Sequence, residues 1–269
     1  MKYTSVFLVL LFISGNLFSQ NKYRLKNFST TDGLSQSSVI AIHQDKLGQM
    51  WFGTRDGLNK YDGSRFTIFR NDVSNKYSIS NNDILAIEED NSGKIWVGTY
   101  NGLNCYDPVS NRFTRYLHTK ANHTISNNAV WSMREIGGEM WFGTSKGLTI
   151  FNKKSGLFSS VFHSDEDAST LPSNNILSIF KTKKGEIWIG TTKGLCQLVN
   201  RKNGKPSFKN YPLNTTDLLN VQSIIEDKDG SLWVGTKNKG LLKFDLKEKA
   251  FVSFLLTEKY REINTDIRS

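Results

Sequence analysis

Five short polar segments recur at a fixed distance after a tryptophan, and they are the candidate ligand-binding residues of this chain. They offer amide, carboxylate, hydroxyl and cationic groups, which suit hydrogen bonding to sugar hydroxyls. The segments vary while the residues around them stay constant, which is typical of recognition loops and also of unconstrained loop tips. The candidates are Arg55, Asp56, Tyr100, Asn101, Ser145, Lys146, Thr192, Lys193, Lys237 and Asn238.

No motif is typical of a catalytic centre. The sequence lacks Gly-x-Ser-x-Gly, a glycine-rich phosphate loop, His-Glu-x-x-His and Cys-x-x-Cys. The histidines occupy unrelated positions, which favours surface or loop residues over a shared metal site. We therefore expect a non-catalytic chain with no metal and no cofactor. The four histidines are His43, His118, His123 and His163.

The tryptophans reveal a repeat in which the candidate residues have a fixed place. Five of the six begin a Trp-x-Gly-Thr motif, and these five are spaced 45, 45, 47 and 45 residues apart. A glycine three residues earlier lies in a polar stretch typical of a hairpin turn. The motif residues are Trp51 and Gly53, Trp96 and Gly98, Trp141 and Gly143, Trp188 and Gly190, and Trp233 and Gly235.

Each repeat encodes four short strands, which predicts an all-β fold, a β-propeller of four-stranded antiparallel blades. The turns between second and third strands and the connectors between repeats would share one face, here called the entrance face. Residues 20–33 are expected to form an outer closing strand, and residues 263–269 to begin a sixth repeat of an incomplete propeller. The five full repeats cover approximately 34–78, 79–124, 125–170, 171–217 and 218–262.

The first 19 residues are typical of a signal peptide. Lys2 precedes an apolar run, Val6 to Ile13, that is too short to span a membrane, and cleavage is expected after Ser19. We therefore expect an exported chain, periplasmic or secreted. Cys105 and Cys196 have different positions in their repeats and are expected to remain unpaired.

Positive charge is concentrated in the fourth repeat. Between Lys181 and Lys209 there are eight basic residues and one acid, Glu186, in a chain of net charge +10. Most of them fall in turns predicted on the face opposite the entrance, which favours a solvated rim or a protein contact over a polyanion site. No nucleic-acid partner is expected for an exported chain.

Acidic residues near the tryptophans suggest two further interpretations, and both are disfavoured. The clusters 88–90 and 227–229 could bind calcium, but each precedes a turn glycine and favours a solvated hairpin. Sialidase-type propellers place an aspartate five residues before the tryptophan. Here those positions hold Lys46, Asn91, Ile136, Lys183 and Lys228.

The chain resembles the family of two-component regulator propeller repeats. The resemblance rests on the pattern Leu34-Ser35-x-x-x-Val39, a glycine turn, Trp51-Phe52-Gly53-Thr54-x-x-Gly57-Leu58-x-x-Tyr61-Asp62 and an aromatic strand. It covers essentially all of residues 20–269, in five copies, of which the fourth has Leu198-Val199 in place of Tyr-Asp. The resemblance implies seven-bladed propellers in the periplasmic sensors of Bacteroidetes hybrid histidine kinases, which detect oligosaccharides and switch on polysaccharide-utilisation genes.

The leading hypothesis is that this chain is the N-terminal, non-catalytic part of such a sensor. Its expected partners are an oligosaccharide, the remaining blades and downstream domains of a longer protein, and a second copy in a homodimer. One alternative is a secreted propeller enzyme, a lyase acting on a polysaccharide or lactone. Another is a structural or adhesion scaffold.

Overall fold

Five four-stranded antiparallel sheets make up the described part of the chain. The structure is a computed structural model that describes residues 25–202, 204–212, 219–237 and 239–253. In every sheet the strands lie side by side in chain order. This arrangement confirms the predicted all-β fold of four-stranded blades, and each sheet lies within one predicted repeat.

The strands are short and closely similar from blade to blade. Blade 1 contains β1 (Val39–Gln44), β2 (Met50–Thr54), β3 (Gly57–Tyr61) and β4 (Phe66–Phe69). Blade 2 contains β5 (Ile84–Glu89), β6 (Ile95–Thr99), β7 (Gly102–Asp107) and β8 (Arg112–Tyr116). Blade 3 contains β9 (Val130–Ile136), β10 (Glu139–Thr144), β11 (Gly147–Asn152) and β12 (Leu157–Val161). Blade 4 contains β13 (Ile176–Lys181), β14 (Ile187–Thr191), β15 (Gly194–Lys202) and β16 (Lys205–Tyr211). Blade 5 contains β17 (Val221–Glu226), β18 (Leu232–Thr236), β19 (Leu241–Asp245) and β20 (Ala250–Ser253).

The first strands of the five blades are neighbours in the order β1, β5, β9, β13 and β17. They are therefore the innermost strands, and each blade extends outward from its own. The start of each innermost strand pairs with the end of the second strand, as Val39 does with Thr54. That end of the innermost strand lies on the entrance face.

The hydrophobic core lies between blades, where each buried tryptophan packs on the next sheet. The Trp51 ring lies 5.5 Å from Tyr106 of blade 2, and the Trp96 ring lies 5.3 Å from Phe142 of blade 3. The glycine of Trp-x-Gly-Thr makes this approach possible. A Cβ atom on Gly98 would lie 2.6 Å from the backbone oxygen of Val130 in the next blade. Blade spacing thus explains the repeated glycine.

The segment before blade 1 packs through Phe28 against the face of blade 1 that points away from blade 2. Its ring lies 4.8 Å from Tyr61 and 5.3 Å from Phe66. Residues 25–29 form no strand, and Thr30–Asp32 forms a 3-10 helix. No strand is formed within residues 25–33, and the closing strand predicted over 20–33 stays a prediction. Residues 1–24 and 263–269, with the signal peptide and sixth repeat, lie outside the described residues.

An aspartate six residues before the tryptophan anchors three of the first-to-second-strand turns. In blade 1 the Asp45 carboxylate accepts hydrogen bonds from the backbone N–H groups of Leu47 and Gln49 and from Trp51 Nε1, the last at 2.8 Å. Asp90 accepts a hydrogen bond from Trp96 Nε1 at 3.0 Å, and Asp227 from Trp233 Nε1 at 3.1 Å.

The turns at clusters 88–90 and 227–229 are formed as predicted, but the prediction of a solvated hairpin is wrong for Asp90, which is buried. Asp90 is 1% exposed because the turn wraps its carboxylate, and Lys153 of the next blade lies 3.1 Å away. Burial alone would raise the Asp90 pKa. Hydrogen bonds from Ser92, Trp96 and Lys153 outweigh that effect and lower the pKa to about 2.

Both cysteines are buried and unpaired, as predicted. Cys105 lies in the core between blades 2 and 3, and Cys196 in the core between blades 3 and 4. Burial raises the pKa of the Cys105 thiol to about 12, and it raises the pKa of Cys196 well above its usual range. Both thiols are therefore protonated, and they act as packing groups.

Candidate ligand-binding site

The predicted candidates occupy two-residue turns between second and third strands in blades 1 to 4. In these blades the second turn residue precedes a glycine with positive φ, for example Gly147 at 105°. The first residue of the turn differs in chemistry from blade to blade. In blade 2 it is Tyr100, which is 60% exposed. Lys237 is also exposed, whereas Asn238 lies outside the described residues.

The buried threonine that ends each second strand holds the turn. Thr144 Oγ1 donates a hydrogen bond to Gly147 O at 2.8 Å and accepts one from Lys146 N at 3.1 Å. The same pair of contacts is made by Thr54, Thr99 and Thr191 in their blades. The repeated threonine is thus explained by turn geometry.

Replacing Thr144 with valine should lower the free energy of unfolding by about 1–2 kcal/mol, because the side-chain shape is kept while buried hydrogen bonds are lost. Thr114→Val is the matched control, since Thr114 is exposed on the outermost strand β8 and should tolerate the change. Urea unfolding measures both variants. Equal stability of the two would contradict the assigned role of Thr144.

The turn side chains contact the connectors around them. Asp56 forms an ion pair with Arg70 at 2.8 Å, at the end of its own blade. Asn101 Oδ1 accepts a hydrogen bond at 3.0 Å from Asn128, in the connector that leads into blade 3. The turns and connectors therefore form one layer of the entrance face, and the role of the candidates in binding remains a prediction.

A cavity of about 640 Å³ lies among the five innermost strands. Each strand contributes its second residue at the entrance end, and three of them contribute their fifth residue toward the opposite end. The second residues are Ile40, Leu85, Trp131, Leu177 and Gln222, and the fifth residues are His43, Glu88 and Arg134.

Trp131 is the tryptophan that does not belong to a Trp-x-Gly-Thr motif, and it lies at the entrance end of this cavity. Its Nε1 donates a hydrogen bond at 2.8 Å to Ser145 Oγ, one of the predicted turn residues. The ring is half-buried, unlike Trp141, which is fully buried in the same blade. Trp131 thus joins the predicted turn to the cavity. Its sequence signal is an aromatic residue where the other repeats have aliphatic residues or glutamine.

The deeper part of the cavity is polar. Arg134 Nη1 lies 3.0 Å from Glu88 Oε1, and the Glu88 side chain is 14% exposed. Burial raises the Glu88 pKa, although Arg134 opposes the effect, and burial lowers the His43 pKa. His43 Nε2 and Arg134 Nε are buried and have no hydrogen-bond partner among the described residues. Such atoms need a water molecule or a ligand.

His43 corrects the expectation that all four histidines are surface or loop residues. It lies on β1 and lines the cavity beside Glu88 and Arg134, the fifth residues of β5 and β9. The other three lie in connectors between blades. Within the described ranges no group of three or more His, Cys, Asp or Glu side chains could hold a metal ion.

The basic cluster lies largely in the predicted turns. Lys183 and Lys184 are exposed between β13 and β14, and Lys205 begins β16 after the turn that follows β15. Arg201 is an exception, because it bridges to blade 3. Its Nη1 lies 2.5 Å from Glu139 Oε2, and its guanidinium lies 5.6 Å from the centre of the Trp141 ring. Arg201 thus stabilises a contact between blades.

A family model described as "Two component regulator propeller" matches residues 33–56, 78–101, 170–193 and 217–238. Each matched segment runs from the connector through the first two strands to the turn, in blades 1, 2, 4 and 5. Four of the five blades thus contain a segment that matches this repeat model. The resemblance inferred from the tryptophan pattern is thereby confirmed.

The chain is also similar to parts of longer proteins. A protein named Histidine kinase P4 from Formosa agariphila is 52% identical over 82 residues, which cover 29% of this chain and 6% of that protein. The extracellular domain of a hybrid two component system from B. thetaiotaomicron has 26% identity and a TM-score of 0.61, covering 79% of this chain and 27% of its own. A second such domain has 25% identity and a TM-score of 0.57, covering 91% and 38%.

The chain therefore spans well under half the length of each of these relatives. The two B. thetaiotaomicron structures are extracellular domains, and the Formosa agariphila protein is named a histidine kinase. Across the described ranges, no helix is long and apolar enough to cross a membrane.

Proposed function

We propose that this chain is the ligand-sensing propeller segment of an exported sensor, and that its ligand is an oligosaccharide. The proposal includes removal of the signal peptide near Ser19 and a location in the periplasm or outside the cell. The remaining blades and the signalling domains belong to the longer protein, and a homodimer is the proposed assembly. The chain itself has no catalytic role in this proposal.

Similarity to extracellular domains of hybrid two component systems supports the sensor role. A propeller suits that role because its blades vary at their turns while the packing between them stays constant. Ligand binding would then act on the downstream domains through its different affinity for their alternative arrangements.

The cavity among the innermost strands is the single observation that supports this ligand best. The half-buried Trp131 ring offers an apolar face at the entrance, and sugar rings present C–H groups that pack on such a face. Deeper in the cavity, His43 Nε2 and Arg134 Nε offer buried polar atoms that a hydroxyl group would satisfy. Ordered polar groups inside an apolar rim are typical of small-ligand sites.

Replacing Trp131 with alanine in the complete ectodomain should weaken oligosaccharide binding at least tenfold, because the ligand loses its aromatic contact. Isothermal calorimetry against a panel of oligosaccharides measures the affinity. Tyr100→Ala is the matched control, since it removes an exposed aromatic residue from a turn on the same face.

Four outcomes are informative. Loss of binding in Trp131→Ala alone supports the cavity, whereas loss in Tyr100→Ala alone assigns binding to the turns. No heat with any oligosaccharide overturns the carbohydrate proposal. Release of a reaction product from the panel would instead favour the enzyme alternative.

A further inference from the structure

The connector before blade 2 surrounds an arginine from that blade. Arg115, on the outermost strand β8, donates hydrogen bonds from Nε to Ser78 O at 2.6 Å and from Nη2 to Asn75 O at 2.9 Å. Nη2 also contacts Asp72 O at 3.2 Å. The backbone carbonyl groups of this connector thus form a cradle for one guanidinium group.

Blade 4 fills the same cradle with an amide. Asn210 stands two residues after the buried Phe208, as Arg115 stands two residues after Phe113. Its Nδ2 donates hydrogen bonds to Ala168 O at 3.3 Å and to Thr170 O at 3.0 Å in the preceding connector. In blades 2 and 4 an N–H donor from the outermost strand thus contacts the preceding connector.

Blade 3 has Ser160 at the matching position, two residues after Phe158. Serine is too short to make the contacts that Arg115 makes, and an open pocket of about 680 Å³ lies there instead. The pocket is lined by Ser160 and by connector residues that include Thr119, Asn122 and Thr124. The cradle of blade 3 is thus open to a group from outside.

Two histidines add acceptors to this pocket. His118 Nδ1 lies 2.8 Å from Ile125 O, and His123 Nδ1 lies 3.0 Å from Phe158 O. Because a carbonyl oxygen only accepts, each neutral ring must carry its proton on Nδ1, which leaves Nε2 as an acceptor. Thr119 O and Ala121 O each accept a hydrogen bond from Thr124 Oγ1, as Asp72 O does from Ser78 Oγ in blade 2, and each carbonyl oxygen keeps a second lone pair. These carbonyl groups and the imidazole nitrogens together favour a ligand rich in N–H donors.

An aromatic wall completes the pocket. Phe162 is 51% exposed, and its ring lies over Gly147 beside the turn at Ser145 and Lys146. A planar guanidinium can stack on such a ring while its edges donate hydrogen bonds. Lys120 also lines the pocket, but it is exposed, so solvent screens its charge.

We propose that this pocket, formed by the connector 117–125 and β12, binds the guanidinium group of an arginine. The arginine belongs either to a partner protein or to a free guanidino compound. The site lies at the rim of the entrance face, apart from the central cavity, and does not depend on the carbohydrate proposal.

The four histidines of the chain allow a direct test. The full chain is labelled with ¹⁵N-histidine and titrated with N-acetyl-arginine amide, N-acetyl-lysine amide or methylguanidinium. We expect the His118 and His123 signals to shift with a Kd on the order of 1 mM for the arginine derivative. The His43 and His163 signals should stay in place, and the lysine derivative should bind at least tenfold more weakly.

Variants connect this response to the pocket. Ser160→Arg should fill the cradle as Arg115 does and reduce binding at least tenfold, whereas Leu157→Arg, at an exposed position of the same strand outside the pocket, should leave it unchanged. Ser160→Asn, which copies Asn210, serves if the arginine variant fails to fold. Tighter binding of the capped arginine than of methylguanidinium supports a protein partner, and equal binding supports a free compound. Equal response to arginine and lysine derivatives, or full binding by Ser160→Arg, would overturn the proposal.

Discussion

Replacing Trp96 with alanine should lower the free energy of unfolding of the chain by about 3–5 kcal/mol. The side chain is 2% exposed, and its ring lies within 5.8 Å of Tyr116, Phe142 and Phe151, measured between ring centres. Two of these rings belong to blade 3. The substitution would leave a cavity between blades and would also remove the hydrogen bond from Nε1 to Asp90.

Trp131→Ala is the matched control for this effect. Trp131 is half-buried at the central cavity, so its loss should cost less than about 1 kcal/mol. Urea unfolding, followed by circular dichroism, compares the two variants with the unchanged chain. Equal losses of stability would contradict the role of the repeated tryptophan in packing between blades.

Lowering the pH from about 4 to about 2 should destabilise the chain by about 2 kcal/mol through Asp90 alone. The folded-state pKa of Asp90 is about 2, below the ordinary value of 3.8. A lowered pKa means that the folded state holds the carboxylate more strongly than the unfolded state does. The stabilisation is therefore complete above pH 3.8 and is lost as the pH falls through 2.

Asp90→Asn separates this contribution from those of other carboxylates. The asparagine variant should be less stable than the unchanged chain at pH 7, because Lys153 and Trp96 lose their anionic partner. The difference between the two chains should shrink as the pH approaches 2. A difference that stays constant with pH would contradict the assignment to Asp90.

The blades were predictable because their signals lie within a single repeat. Trp51 and Gly53 are two residues apart, and a turn glycine precedes each motif, so the pattern could be counted along the chain. The positive φ of Gly147 and the close approach of the next blade at Gly98 explain why glycine recurs at these two positions of the repeat. Because the same local pattern occurs five times, the fold could be predicted from it.

The site residues were harder to predict because their contacts join different repeats. His43, Glu88 and Arg134 belong to three blades and meet only because the innermost strands are adjacent. Trp131 stood outside the repeated motif, so counting tryptophans passed over it. The predicted turns were placed correctly in blades 1 to 4, but Asp56 is paired with Arg70 and Ser145 with Trp131.

The role of Asp90 was missed for a related reason. The sequence shows that an aspartate stands six residues before three of the tryptophans, but proximity along the chain does not show a hydrogen bond to an indole N–H. Lys153 of the next blade covers the Asp90 carboxylate, and this contact joins two neighbouring repeats. A polar cluster beside a turn glycine therefore had two local interpretations, and only the packing distinguishes them.

In the proposed sensor, the innermost strands of the propeller form the ligand site. A crystal structure of the complete ectodomain with a bound oligosaccharide tests it most directly. We expect sugar in the cavity, with one ring against Trp131 and hydroxyl groups near His43 and Arg134. An oligosaccharide bound wholly outside this cavity would contradict it.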